Sequence, residues 1–76
     1  MNAYYQLAQH EATRQGGLLI AFAQEKDSRY MHHAIAKFNH EYAVWLYNGE
    51  FNGMYNGYYT TDLTLAYETF AKRLTK

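Results

Sequence analysis

The spacing of apolar residues along this chain runs from helical to alternating and back to helical. Tyr4, Leu7, Ala8 and Ala12 recur at helical spacing behind Asn2, a good N-cap residue, and Gly16-Gly17 stops the pattern as a C-cap glycine does. This predicts a first helix over about residues 3–15. The apolar run from Leu18 to Gln24 lies between that Gly pair and Glu25-Lys26-Asp27-Ser28, and its length and flanks predict a buried strand. Residues 29–38 read two ways. Met31, Ala34, Ile35 and Phe38 fit a helix face, yet 34–38, Asn39-His40 and 42–47 also read as strand, turn and strand. The strand reading is favoured, because the second arm is rich in β-branched and aromatic residues. A further strand is expected over 51–59. The last element is the clearest: Leu63, Ala66, Tyr67, Phe70, Ala71 and Leu74 form a full apolar stripe at helical spacing. Thr60 or Thr61 is placed to cap it, with Asp62 in the first turn and Lys72, Arg73 and Lys76 in the last, as the helix dipole prefers.

The expected fold is therefore α+β: a small antiparallel sheet of three or four strands, a β-meander, with an N-terminal helix and an amphipathic C-terminal helix packed on it. The 76 residues make one compact domain, 1–76. At this size a single core supplies only about 3–5 kcal/mol of net stability. With no Cys, a disulfide staple is ruled out, so dense aromatic packing or a partner chain must help.

Aromatic residues make up 18% of the chain, and half of them fall between Tyr42 and Tyr59. The same stretch holds Asn48-Gly49, Asn52-Gly53 and Asn56-Gly57. Asn-Gly is a strong hairpin signal, since a type I′ turn needs two residues at positive φ. Three such pairs four residues apart cannot all be two-residue turns. One is expected to set a hairpin, and the others to mark a bulge, a wider loop or a second turn.

Charge and motifs exclude more than they assign. Seven Lys+Arg balance seven Asp+Glu, so neither the footprint of a general nucleic-acid binder nor that of an acidic DNA mimic is present. The longest apolar run, from Leu18 to Ala23, is far short of the ~20 residues of a membrane span, and no signal-peptide pattern opens the chain. A cytoplasmic protein without membrane association is the expectation. His32 and His33 cannot share an ion from a strand, where adjacent side chains point to opposite faces, and no metal-ligand spacing involves His10 or His40. Ser28, the only serine, suits a turn or helix cap. Gly16-Gly17 lacks the context of a phosphate loop, and nothing gathers the carboxylates into one pocket. No enzymatic activity, cofactor or metal is expected.

A helix, three strands and a helix within about 70 residues is similar in element order to the double-stranded-RNA-binding domain. That family grips phosphates with a lysine-rich start to its second helix. The corresponding positions here are Thr60, Thr61, Asp62 and Leu63, so the resemblance implies element order alone. A nucleic-acid reading remains as the alternative, with exposed tyrosines stacking on bases and Lys72, Arg73 and Lys76 touching phosphates.

Protein recognition accounts for the anomalies best. Tyr offers large, stiff, amphipathic contact area, while Asn and Gly supply turns and adaptable hydrogen bonds. A domain of this size is not expected to bury every aromatic of the 42–59 region. By strand alternation either Ala43, Trp45 and Tyr47, or Tyr42, Val44 and Leu46, face outward, and an outward Trp45/Tyr47 pair beside Tyr55 and Tyr58 would form a hot spot. The expected partner-binding residues are Trp45, Tyr47, Phe51, Asn52, Tyr55, Asn56, Tyr58, Lys72 and Arg73. The expected function is a non-enzymatic inhibitor or adaptor that blocks a larger protein or complex. Phage anti-defence proteins, anti-CRISPR proteins among them, are similar in size and poverty of motifs. A homodimer that buries the same patch is the competing arrangement.

Overall fold

In the computed structural model, residues 3–75 are described, and the Asn2 cap and Lys76 lie outside them. Helix α1 (Ala3–Arg14) is followed by strands β1 (Leu18–Gln24), β2 (Met31–Lys37), β3 (Tyr42–Asn48) and β4 (Gly53–Thr60), then helix α2 (Leu63–Leu74). The strands form one antiparallel meander in the order β1-β2-β3-β4, leaving β1 and β4 as its edges. The α+β architecture expected from the sequence is thus present, and 31–37 is strand.

Local chemistry explains each boundary. Gly16, at φ 92°, takes the left-handed conformation that lets Gly17 N–H reach back to Ala12 O at 2.8 Å and Gly16 N–H to Thr13 O at 2.9 Å. This paired closure satisfies the last carbonyls of α1 and turns the chain into β1. Ser28 Oγ accepts from Tyr30 N–H and Met31 N–H, tightening the turn into β2. Asp62, and neither Thr60 nor Thr61, caps α2, accepting from Thr64 N–H at 2.9 Å and Leu65 N–H at 3.4 Å. Thr60 Oγ1 instead accepts from Asp62 N–H, one step upstream, so the aspartate holds the better-placed acceptor.

The Asn-Gly pairs divide their work. Asn48 pairs with Gly53 across a four-residue turn, and Asn48 Oδ1 accepts from Glu50 N–H and Phe51 N–H. Asn52, at φ 53°, closes that turn. Phe51 and Asn52 therefore belong to the turn and not to the strand expected over 51–59. Asn56, at φ 55°, lies in a bulge between the Val44–Tyr58 and Leu46–Tyr55 pairs. None of the three makes a type I′ turn, because among the described residues Gly16 is the one glycine at positive φ.

Strand alternation serves two covered faces. Ala34, Ala36, Ala43, Trp45 and Tyr47 pack with Ala8 and Ala12 of α1, Phe22 and Met54. Ile35 and Val44 point the other way, to Ala66 and Phe70 of α2. The helices therefore lie on opposite faces of the sheet, and the central strand β2 is buried continuously from His32 to Ala36. The alanines let α1 approach the sheet closely.

This arrangement corrects the expectation of an outward Trp45/Tyr47 pair: Trp45 is 4% exposed and Tyr47 is fully buried. Their face is the floor beneath α1, a placement that alternation alone leaves open. The α2 stripe is also narrower than its sequence pattern suggests. Ala66 is buried and Phe70 and Leu74 half-buried, but Leu63, Tyr67 and Ala71 are exposed.

Candidate recognition surface

Helix α1 packs chiefly beside β1 and α2 spans β2 to β4, and on its outer side β4 pairs with no further strand. From Gly53 to Thr60 this edge has no charged residue. Natural edge strands usually carry charge or proline, which discourages pairing with other chains. Here the guard is the Asn56-Gly57 bulge, which divides β4 into two short paired stretches.

Four large aromatics are exposed along this edge and its entry turn: Phe51 at 70%, Tyr55 at 47%, Tyr58 at 37% and Tyr59 at 55%. Tyr55 and Tyr58 lie opposite Leu46 and Val44, hence on the α2 face, while Tyr59 lies opposite Ala43 on the α1 face. The aromatic surface thus wraps around the edge.

Glycine spacing fixes how two of these rings lie. A Cβ on Gly53 would stand 2.8 Å from the Tyr55 hydroxyl oxygen, and one on Gly57 would stand 2.6 Å from that of Tyr59. Each tyrosine folds back along the strand over the glycine two residues before it, in space only a residue without a side chain leaves free. Tyr59 Oη also accepts from Trp45 Nε1 at 3.2 Å, so buried Trp45 serves as a support. Tyr47 acts similarly, donating its hydroxyl hydrogen to Asn52 Oδ1 at 2.5 Å. Burial, with the nearby Glu11 charge, pushes the Tyr47 hydroxyl above its ordinary range and keeps it a donor.

The fold places Phe51 and Asn52 in the entry turn and Tyr55, Asn56 and Tyr58 on β4, but Asn52 turns to the α1 side, where it meets Tyr47 and borders a concavity with Leu7 and Arg14. Arg73 reaches the neighbourhood of Asn56 from α2: its Nη1 donates to Val44 O at 3.2 Å, where the bulge interrupts the ladder. Arg73 and Asn56 share a concavity of about 420 Å³ with Leu46, Glu25 and His33. Lys72 is exposed on the outer side of α2. Tyr59, Glu25 and His33 were not expected here. Tyr59 is open because α1 stops short of β4, and Glu25 arrives through the β1–β2 turn; neither fact has a local sequence signal.

The two adjacent histidines take opposite faces, as strand alternation requires. His33 Nε2 donates to Glu25 Oε2 at 2.6 Å, leaving Nδ1 buried without a hydrogen-bond partner. Among the described residues no group of three or more His, Cys, Asp or Glu side chains is arranged to hold a metal ion.

His32 is a core residue, stacked on Phe22 with ring centroids 4.7 Å apart, and its Nδ1 donates to Tyr30 O. Burial holds its imidazole below the ordinary value of 6.5. The unfolded chain then takes up a proton at His32 more readily than the fold does. Its contribution to stability is complete above pH 6.5 and is lost as the pH falls below that value. His32→Phe keeps the stack, and Tyr30 O retains the hydrogen bond from Gly49 N–H. Urea midpoints compared at about pH 7.5 and pH 5.5 should fall less on acidification in His32→Phe than in the parent. Equal losses in the two proteins would remove His32 as the cause.

Glu11 adds a second acid-sensitive contact at lower pH. Its carboxylate accepts from Arg14 Nε and Nη2 and from Gln15 Nε2, and the Arg14 hydrogen bonds hold it below its ordinary value despite burial. No helix among the described residues is long and apolar enough to cross a membrane. No protein-family model, curated protein or solved structure matches this chain.

Proposed function

We propose that this chain is a non-catalytic protein-recognition module, an inhibitor or adaptor that occupies a surface on a larger protein through the β4 edge and its entry turn. The observation that carries this reading is the cluster of exposed Phe51, Tyr55, Tyr58 and Tyr59 on a strand without charge. Such rings lose little side-chain entropy on binding and bury much apolar area, which is why Tyr is enriched at hot spots. Asn52 and Asn56 border them with amide groups, and Lys72 and Arg73 supply the basic rim. The chain's zero formal charge favours steric blocking over mimicry of a polyanion. Cytoplasmic antagonists of the phage anti-defence kind, anti-CRISPR proteins included, are the class this size and chemistry suit.

The test is a triple variant, Phe51→Ser with Tyr55→Ser and Tyr58→Ser. It should keep the parent's far-UV circular dichroism and lose partner affinity by roughly a hundredfold or more. Unchanged affinity in the folded variant would reject the β4 surface. Binding abolished by nuclease would favour the nucleic-acid reading, and a self-association constant that falls in step with the substitutions would favour a homodimer.

A further inference from the structure

We propose that Asn56 is a site of spontaneous covalent modification, the one Asn-Gly pair of three that the fold leaves free to deamidate. An asparagine followed by glycine is chemically labile, because no Cβ shields the next backbone nitrogen. In the reaction the Gly57 nitrogen, losing its proton, bonds to Cγ of Asn56. The Cγ–Nδ2 bond breaks, and Nδ2 leaves as ammonia. Water then opens the resulting succinimide, either at Cγ to give aspartate or at the main-chain carbonyl to give isoaspartate. No oxidant, metal or enzyme is needed.

The three pairs have the same local sequence chemistry and different restraints. Asn48 is held by two hydrogen bonds to its Oδ1, from Glu50 N–H and Phe51 N–H, and Gly49 N–H is engaged with Tyr30 O at 2.7 Å. Asn52 is tethered by the Tyr47 hydroxyl, and Gly53 is paired with Asn48 across the turn. Asn56 is exposed, and among the described residues its side chain carries no hydrogen bond. Its backbone sits in the bulge on the free edge of the sheet, where rotation toward the cyclising geometry disturbs the fewest ladder contacts.

The product changes the surface in two ways. A new carboxylate enters the concavity shared with Glu25 and Arg73. Isoaspartate also lengthens the backbone by one methylene at the bulge, between the stretches that present Tyr55 and Tyr58. The chemistry at Asn56 proceeds without any partner bound to β4.

The experiment is peptide mapping by mass spectrometry after timed incubation of the full chain in mildly alkaline buffer, native and in denaturant. In the native protein Asn56 should convert several-fold faster than Asn48 and Asn52, and in denaturant the three rates should converge. Tyr47→Phe, which keeps the ring and removes the tether, should raise the Asn52 rate and leave the Asn56 rate unchanged. Native conversion at Asn48 or Asn52 as fast as at Asn56, or an intact Asn56 when all three convert in denaturant, would overturn the proposal.

Discussion

Tyr47→Ala is expected to leave most molecules unfolded at room temperature. Tyr47 has no exposed surface and lies between α1 and the sheet, its ring centroid 6.4 Å from that of Phe22 and 6.3 Å from that of His32. Truncating a buried aromatic costs about 3–5 kcal/mol, since the neighbours collapse only partly into the space. A domain this small has about 3–5 kcal/mol to lose. Tyr47→Phe removes only the hydrogen bond to Asn52, about 1 kcal/mol, and should stay folded. Tyr55→Ala strips a half-exposed ring from an edge and should melt near the parent temperature. Circular-dichroism melts of the three variants check the series. A cooperative transition in Tyr47→Ala close to the parent's would mean that the side chain is not core.

Ala12→Leu should cost the next most. Ala12 is fully buried in the core cluster that α1 shares with Leu19, Ala34, Ala36 and Ala43 of the sheet. The small residues on both sides set the helix-to-sheet distance, so three added carbons must push α1 outward or force strained rotamers. Overpacking of this kind costs about 1–3 kcal/mol. For a domain of this size each kcal/mol lowers the melting temperature by about 4–8 °C. Ala71→Leu makes the same chemical change on the exposed side of α2 and should shift the melt little. Equal melting temperatures for the two variants would contradict the close approach of α1.

The element order was legible because each element carries its own local code. Gly16-Gly17 closes α1, Ser28 shapes the β1–β2 turn, and the spacing of Ala66, Phe70 and Leu74 marks α2. What stayed hidden depends on contacts distant in sequence. Alternation in β3 separates Ala43, Trp45 and Tyr47 from Val44 and Leu46, but cannot tell which set meets a helix; here each does. Trp45 and Tyr47 consequently became supports for Tyr59 and Asn52 instead of contact residues. The clustering of Asn-Gly pairs correctly marked irregular backbone. Which pair would turn and which would bulge was decided by the register of β4 on β3, a tertiary property.

Binding of a protein by the uncharged aromatic edge of β4 is the proposal on which the function rests. Its most direct measurement is a nuclease-treated pull-down from lysate of the producing cell, run in parallel with the parent and with the Phe51→Ser, Tyr55→Ser, Tyr58→Ser variant. One stoichiometric protein should be retained by the parent and absent from the folded variant. The same protein recovered equally with both would contradict the proposal, and so would a parent that retains no protein at all.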